Sequence, residues 1–312
     1  MDIQASKPPI ETPLAKVGIN ELHVPIKYKR KKGNPIKLET VVSMYVSLTP
    51  EVKGINMSRL PRTLYQYINE DKDVSTDLMK DILRQFRKEL GCEDAYLKFR
   101  FNYPIKKQSL ITDASGWAYY PTEFEAKLVD SEVTYTMMVS ILYSSTCPCS
   151  SHLSEMLAEG KVIRDGEEIA MSKLSTADQR RYMKEWQKHS VNPKAKCELS
   201  SSGAAHAQRS RADIKIRFLK ENPVWIEDLV EAVEKTLKTP VQVIVKREDE
   251  QEFARLNATN LMFVEDAVRL MSDTVNKIDG VLDWSIVANH FESLHAHNAV
   301  CVNWKGVKNG LR

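Results

Sequence analysis

The residues most able to do chemistry lie in four short stretches of the chain. The first is SSTCPCSSH (144–152), in which Cys147 and Cys149 flank a proline that stiffens the backbone and removes a hydrogen-bond donor. A C-x-C pair is a weaker metal signal than the C-x-x-C pair of zinc sites, and two buried thiols at the end of a strand are an alternative interpretation. The other stretches are AHAQRS around His206, the charged run KREDEQEF (246–253) and the histidine-rich NHFESLHAHNA (289–299).

Each stretch has a plain structural interpretation when it is taken alone. A single histidine is more often structural than a ligand, and a charge run is usually a solvated loop. His295 and His297 would share one face of a strand, because strand side chains alternate. Together the stretches supply a thiolate, an imidazole, a carboxylate and a second imidazole, each just after a predicted strand. Three protein ligands and an open position are typical of a catalytic zinc-type site, where the metal lowers the pKa of bound water to about 7 and a histidine carries protons.

The composition is typical of a soluble globular protein. Of 312 residues, 42% are hydrophobic and 28% are charged, and the net charge is +3. This near-balance does not favour nucleic acid, and the one dense basic run, KYKRKKGNP (27–35), is interpreted as a solvated hairpin turn. The N-terminus lacks the apolar run of a signal peptide, and no stretch approaches the ~20 apolar residues of a membrane span. We expect a cytoplasmic protein with no membrane partner, whose cysteines are thiols or metal ligands: Cys92, Cys147, Cys149, Cys197 and Cys301.

The first half of the chain alternates predicted strands with one clear helix. Apolar and polar residues alternate, which predicts strands over 22–29, 40–48, 95–103 and two runs within 122–145. Apolar residues recur at helical spacing between Ser75 and Gly91, and we expect these two residues to begin and end a helix. Asp130 and Ser131 are expected to form the turn between the two runs of 122–145.

The second half has a similar order of strands and helices without a clear sequence repeat. Its predicted strands are 212–218, 241–246, DWSIVANHFESLHAH and NAVCVNW, and its predicted helices are 222–240 and 260–277. The polar stretch between the halves carries a helix with Ser175 and Asp178 at capping-box spacing, and nothing in it alternates like a strand. We therefore predict an α+β fold with largely antiparallel sheets, in two tandem modules over 1–150 and 202–312 with a polar surface insertion over 151–201.

Five motifs follow one another in a specific order along the chain: CPCS (147–150), AHAQRS (205–210), KREDE (246–250), FVED (263–266) and HFESLHAH (290–297). This order resembles that of the type IB GTP cyclohydrolase I family and covers most of the chain. The resemblance implies a tunnelling fold (T-fold) of two tandem modules, assembled as a homotetramer with active sites at subunit interfaces. It also implies hydrolytic opening of the imidazole ring of GTP, which gives 7,8-dihydroneopterin triphosphate and formate in the first step of tetrahydrofolate and pterin biosynthesis.

The resemblance also implies a set of catalytic residues and metal ligands. Cys147 and His206 would bind the metal, and Glu250 would be the third ligand or a close neighbour of the metal. His295 would carry protons at the purine, so Cys147, Glu250 and His295 form the implied catalytic set. Cys149 would support the site without binding the metal. Cysteine, histidine and glutamate ligands suit Zn²⁺, Mn²⁺ or Fe²⁺, and the sequence leaves the choice among these divalent metals open.

Substrate binding is implied for Glu265, Gln208 and Arg209. The carboxylate of Glu265 suits guanine, because an ionised carboxylate only accepts hydrogen bonds and guanine presents adjacent N–H donors. The alternative is an ordinary glutamate in the first turn of a helix. Ala207 stands where the family commonly has asparagine, which puts in doubt any polar contact of that side chain.

The sequence departs from the family pattern between the first two motifs, and it leaves other functions open. Cys147 and His206 are 59 positions apart where the family has a short link, so the insertion could cap the active site or the tetramer surface. Tyr182, Met183 and Trp186 are its sizeable apolar anchor. The alternatives are a ferrous-iron branch that yields a cyclic phosphate, a non-catalytic purine or pterin binder of the same fold, and a structural zinc protein. The sequence does not decide whether the product serves folate or a modified tRNA base.

Overall fold

A computed structural model describes residues 4–68, 72–189 and 203–312. The strands are β1 (Leu14–Tyr28), β2 (Ile36–Leu48), β3 (Asp73–Val74), β4 (Ala95–Gln108), β5 (Ser115–Val129), β6 (Glu132–Thr146), β7 (Lys161–Arg164), β8 (Glu167–Ala170), β9 (Ala207–Phe218), β10 (Val281–His290) and β11 (Ala299–Trp304). The helices are α1 (Arg59–Tyr67), α2 (Thr76–Leu90), α3 (Pro148–Ala158), α4 (Thr176–His189), α5 (Ile226–Leu237), α6 (Arg247–Thr259) and α7 (Val264–Asn276). Within these ranges, no helix has the length and apolar character needed to cross a membrane.

Nine of the strands form one sheet in the order β11-β10-β9-β6-β5-β4-β2-β1-β3. Neighbouring strands are antiparallel except for the short β1–β3 pair. The two halves of the chain meet where β6 pairs with β9. The predicted α+β fold with a large antiparallel sheet is therefore confirmed. The division into two tandem modules stays a prediction, because the described strands form one continuous sheet.

The predicted ends of the helix and the predicted turn in the first half of the chain are confirmed. The Ser75 hydroxyl oxygen accepts a hydrogen bond from the Leu78 N–H at 3.2 Å and begins α2. Gly91 ends the helix at a φ of 62°, a left-handed conformation that glycine adopts easily. Asp130 and Ser131 both have positive φ and join β5 to β6 as a two-residue turn.

Helices α2, α5 and α7 cover one face of the sheet. The other face is largely open, but at the end of β6 its residues Ser144 and Thr146 donate hydrogen bonds to Asn257 of α6. Because strand side chains alternate, every second residue of β4, β6, β9 and β10 is buried in the core under α2, α5 and α7. The open face carries charged side chains from neighbouring strands, among them Lys98, Arg100, Glu123, Glu125 and Lys215. Side chains at the strand ends therefore point either beneath the helices or toward the open face.

The strand predicted at 241–246 is wrong, and the charged run after it begins α6. The Ser144 N–H donates to the Thr239 carbonyl oxygen at 2.8 Å, and Pro240 forms a single bridge with Tyr143. Proline has no N–H with which to extend that pairing. The residues that follow form a loop in which Val243 and Ile244 are exposed.

Two other predicted elements begin or end elsewhere. Helix α7 starts at Val264 rather than at 260, because the Met262 N–H donates to the Thr146 carbonyl oxygen at 3.1 Å instead of joining a helix. Strand β10 ends at His290, which pairs with Ser210 of β9 on one side and Ala299 of β11 on the other. The residues from 291 to 298 form a loop, so the prediction that His295 and His297 share a strand face is wrong.

The insertion has a fold of its own. Strands β7 and β8 pair as a hairpin, so the prediction that it contains no strand is wrong. Half of the predicted capping box is confirmed, because the Asp178 N–H donates to the Ser175 hydroxyl oxygen at 3.1 Å. The Asp178 carboxylate accepts from the Ser175 hydroxyl at 2.8 Å. Residues 190–201, which include Cys197, lie outside the described residues.

A small hydrophobic cluster holds this subdomain together. Val162, Met171 and Leu174 are buried, and Tyr182 and Trp186 of α4 pack against them. These two aromatic side chains therefore anchor α4 to the subdomain itself. The predicted boundaries of the insertion at 151 and 201 stay a prediction, since α3 already begins at Pro148.

Candidate active site

The ends of β6 and β9 bring together two predicted metal ligands. Thr146, the last residue of β6, lies opposite Ala207, the first residue of β9. Cys147 and His206 come next beyond this pair, and the Cys147 N–H donates to the His206 carbonyl oxygen at 3.4 Å. Both residues are half-buried. Antiparallel pairing thus makes neighbours of two residues that are far apart in the sequence.

The proline of the CPC motif has a simple explanation in helix geometry. Cys147 is the N-cap of α3 and Pro148 is its first residue, where the missing N–H of proline leaves no hydrogen bond unmade. The Ser150 hydroxyl oxygen, in the same first turn, accepts a hydrogen bond from the His206 N–H at 3.1 Å. The start of α3 therefore holds the backbones of both predicted ligands. Cys149 is exposed on this turn, and its supporting role stays a prediction.

A chain of hydrogen bonds runs from His206 into the protein. The Nδ1 atom of His206 lies 3.1 Å from Oε1 of Gln208, and Nε2 of Gln208 donates to Oε1 of Glu292 at 3.0 Å. Histidines that bind metals almost always engage their second ring nitrogen in this way. Glu292 was not among the predicted site residues, although it stands inside the HFESLHAH motif.

Gln208 and Arg209, both predicted to bind substrate, point to opposite faces of β9. Gln208 lies beneath the helices and is 7% exposed. Arg209 is exposed on the open face, opposite Ser144 of β6. The two side chains therefore cannot contact the same part of a ligand from one surface.

His290 is a buried histidine at this end of the sheet, and no role was predicted for it. Its Nε2 lies 2.9 Å from the Tyr143 hydroxyl oxygen and its Nδ1 lies 3.1 Å from the Ser145 hydroxyl oxygen. The Ser145 hydroxyl lies 2.8 Å from that of Ser210, which extends the network across β6, β9 and β10. The alternation of side chains along β10 could have predicted its burial, because Trp284, Ile286 and Ala288 are buried on the same face of the strand.

Burial keeps His290 neutral. Desolvation lowers the pKa of its imidazole to about 4, although the carboxylates of Glu292 and Glu265 act to raise it. His290 is therefore a hydrogen-bonded but uncharged group at neutral pH. It connects the end of β6 to the loop that carries Glu292.

Glu265 lies in the first turn of α7, beside the same strand ends. The Met262–Thr146 hydrogen bond brings the start of α7 next to Cys147. Glu265 is exposed, and its charge is felt by two neighbours: it acts to raise the pKa of His290, and together with burial it raises the pKa of the Cys301 thiol. The structure thus places an exposed carboxylate next to the site, at a helix start where negative charge is favourable.

His295 and His297 lie on the exposed loop that follows Glu292. Their rings stack with centroids 4.9 Å apart and an angle of 6° between the planes. His295 is three positions beyond Glu292, whose carboxylate is fixed by Gln208. The loop therefore starts at the site, and the histidine pair stands at its solvent side.

Glu250, the third predicted ligand, lies at the far end of α6. The C-terminal end of α6 leads to Leu261 and Met262, which lie beside Thr146. An α-helix rises about 1.5 Å per residue, so Glu250 in the first turn is on the order of 15 Å from that point. Within the ranges that the structure describes, no three His, Cys, Asp or Glu side chains converge to hold a metal ion. One chain brings together two of the three predicted ligands, Cys147 and His206, which we call the half-site. Glu250 does not join them there.

The first turn of α6 is fixed by its neighbour Asp249. This carboxylate is fully buried and accepts hydrogen bonds from the N–H groups of Ile111, Thr112 and Lys246 and from the Thr112 hydroxyl. Burial acts to raise the pKa of Asp249, but the hydrogen bonds outweigh it and hold the pKa well below its usual range. The tip of the β4–β5 hairpin thus sets the position of Glu250.

The donor chemistry of the half-site fits the metal that the sequence predicts. A thiolate and an imidazole are ligands for Zn²⁺ and Fe²⁺, and the engaged Nδ1 leaves Nε2 of His206 for coordination. Two protein ligands fall short of the three that a catalytic site of this type uses. The missing ligand must come from outside this group of residues.

Comparisons with known proteins agree with the motifs. The family model described as type I GTP cyclohydrolase FolE2 matches residues 1–301. The GTP cyclohydrolase FolE2 of Jannaschia sp. is 36% identical over 292 residues, covering 93% of this chain and 69% of that protein. The FolE2 of Paracoccus denitrificans is 35% identical over 294 residues (94% and 79%), and that of Hydrogenovibrio crunogenus is 34% identical over 299 residues (94% and 90%).

A solved structure supports the fold. A hyper-thermostable uricase mutant superposes with a TM-score of 0.50 at 8% sequence identity, covering 93% of this chain and 91% of that one. Identity this low indicates a shared fold only. From the family model and the relatives together, the chain belongs to the type I GTP cyclohydrolase FolE2 family.

Proposed function

We propose that this chain is a GTP cyclohydrolase of pterin and folate biosynthesis, which opens the imidazole ring of GTP by hydrolysis and yields 7,8-dihydroneopterin triphosphate and formate. One observation carries the proposal: in a chain of the FolE2 family, Cys147 stands beside a His206–Gln208–Glu292 hydrogen-bond chain. A hydrolase that cleaves cyclic amidine C–N bonds needs activated water, a proton carrier and an anchor for the base. The residues around this strand end can supply each of them.

Cys147 Sγ and His206 Nε2 would hold a divalent cation, Zn²⁺, Mn²⁺ or Fe²⁺. When bound, such a cation is a Lewis acid that lowers the pKa of water to about 7. The protein prepares this position in two ways. The first turn of α3 fixes the backbone of Cys147, and Gln208 holds the ring of His206.

Glu265 would anchor guanine and His295 would carry protons. The exposed Glu265 carboxylate can accept hydrogen bonds from two adjacent N–H groups of the base. His295 stands on the exposed loop beyond Glu292, where an imidazole can exchange protons with the opened ring and with solvent. Arg209 lies on the open face near Cys147, and its charge suits the triphosphate.

Glu250 would complete the site of a second copy of the chain. It is exposed and fixed in position on the order of 15 Å from its own strand end, by the helix rise. The surface around it is mixed, because charged residues of the same turn are exposed, and so are apolar residues of the hairpin tip and the loop before α6: Ile111, Trp117, Val243 and Ile244. Exposed apolar patches of this kind mark protein interfaces. This arrangement supports a homotetramer with active sites at subunit interfaces.

Turnover of GTP tests the proposed function directly. Apo-protein would be reloaded separately with Zn²⁺, Mn²⁺ or Fe²⁺, and formate release and the fluorescence of the oxidised product would be measured. We expect stoichiometric formate with at least one metal. Tight GTP binding without formate would favour a non-catalytic binding protein, and a cyclic phosphate product would favour the ferrous-iron branch.

The guanine anchor has its own test. Glu265→Gln replaces one acceptor by a donor that faces the donors of guanine, and bound guanine would bury this mismatch at a cost of about 1–3 kcal/mol. We expect KM for GTP to rise about 10–100-fold by that cost, with unchanged metal content. Unchanged KM and kcat would rule out Glu265 as the anchor.

A further inference from the structure

Both polar atoms of the Gln208 side-chain amide form hydrogen bonds within the protein. Its side chain is 7% exposed and lies beneath the helices, between His206 and Glu292. Its Oε1 is 3.1 Å from Nδ1 of His206, and its Nε2 is 3.0 Å from Oε1 of Glu292. A side chain engaged at both ends is poorly placed to bind GTP, which is the role that the sequence resemblance implies for it.

The chemistry of the three groups decides the direction of the hydrogen bonds. An ionised carboxylate only accepts, so Glu292 must receive the N–H of the Gln208 amide. The amide oxygen then faces His206 and can only accept, so the proton of a neutral His206 sits on Nδ1. The lone pair is left on Nε2, the nitrogen that points away from Gln208.

We propose that Gln208 is a positioning residue that fixes the tautomer and ring orientation of His206, and that Glu292 holds the Gln208 amide in the required orientation. The inference rests on the proposed function in one respect, because it takes His206 as a metal ligand. Outer partners of metal-binding histidines contribute about 10–100-fold to metal affinity. The effect of Gln208 therefore falls on metal binding first and on turnover as a consequence.

Zinc affinity of the apo-protein, measured by competition with a chromogenic chelator in the absence of GTP, tests the assignment. Gln208→Met keeps the approximate size of the side chain but offers no amide, and we expect it to weaken zinc binding about 10–100-fold. Gln66→Met, at an exposed glutamine of α1, is the matched control and should leave the affinity unchanged.

A swap of the two side chains separates positioning from mere packing. Gln208→Glu alone should weaken zinc binding, because its carboxylate faces that of Glu292. The double variant Q208E/E292Q restores a complementary chain, in which the carboxylate at 208 accepts from both Nδ1–H of His206 and the amide at 292. We expect the double variant to bind zinc within a few-fold of the wild type. Glu292→Gln alone should not raise the zinc affinity, so a recovery in the double variant requires both exchanges.

Three results would overturn the inference, and each has a different meaning. Wild-type zinc affinity in Gln208→Met, with a raised KM for GTP, would make Gln208 a substrate contact instead. Unchanged zinc affinity in both Cys147→Ala and His206→Ala would remove the metal site itself, and the positioning role with it. If Q208E/E292Q stays as weak as Gln208→Glu while its thermal unfolding matches the wild type, the hydrogen-bond chain does not set the affinity.

Discussion

The strand ends around Cys147 and the hairpin tip around Glu250 are built by the same means. In each region a buried polar side chain fixes a residue next to it: Gln208 holds His206, and Asp249 holds the turn that carries Glu250. The regions differ in what they face. The strand ends gather several candidate groups within one chain, whereas the first turn of α6 exposes Glu250 among other charged residues, beside exposed apolar side chains of the preceding loop. The difference supports the proposal that each chain fixes its own groups in position and that a second copy completes the site.

Cys147→Ala should have the largest effect, because it removes a proposed metal ligand from the part of the site that one chain assembles. We expect metal content and formate release to be lost. The fold should persist, because the Cys147 side chain makes no capping hydrogen bond to α3. Elemental analysis and thermal unfolding would be measured together. Stoichiometric metal in this variant would require the site to be redrawn around Cys149.

Mixing of inactive subunits tests whether the two regions meet between copies. Glu250→Gln and Cys147→Ala should each be inactive alone, but their co-expression should place intact halves together in about a quarter of the sites if copies associate at random. The matched control is Cys147→Ala with His206→Ala, whose defects lie in the same half and should not complement. No recovery in the first mixture, with assembly confirmed, would mean that Glu250 does not act across the interface.

The sequence was sufficient to predict elements whose ends are set by the residues at those ends. Ser75, Gly91 and the turn at Asp130 and Ser131 dictate their own backbone conformations, so the elements that they bound were predicted correctly. The strand predicted at 241–246 failed because alternation does not reveal whether a free strand edge is available. Here Pro240 ended the pairing along β6.

The site was predicted in its parts but not in its geometry. The motifs placed Cys147 and His206 together, and the β6–β9 register confirmed their proximity. Glu292 and His290 were missed because their importance depends on long-range contacts with Gln208, Tyr143 and Ser145. The distance of Glu250 depends on a helix that the charge run did not predict.

His290 should make the strand-end region sensitive to acid. Its pKa is about 4 in the folded protein and about 6.5 in an unfolded chain, so the unfolded state binds more protons between these values. Stability is fully present above pH ~6.5 and falls as the pH is lowered to ~4, by on the order of 3 kcal/mol. Urea unfolding of His290→Gln should lack this part of the pH dependence. His23→Gln, at an exposed histidine, should keep it, and equal slopes for both variants and the wild type would contradict the assignment.

Removal of most of the insertion should have the smallest effect on the site, provided that α3 is kept. The hydrophobic cluster of β7, β8 and α4 is separate from the main core, whereas Ser150 of α3 binds the backbone of His206. Gly203 lies against Leu157 of α3, so a short Gly/Ser link in place of 161–201 can close the chain. We expect this protein to bind zinc normally and to keep most of its formate release. A longer deletion that also removes α3 is the matched comparison and should lose the metal. Normal zinc binding without formate release in the shorter deletion would instead make the insertion part of the active site, with Arg180, Arg181 or Lys184 as contacts for the triphosphate.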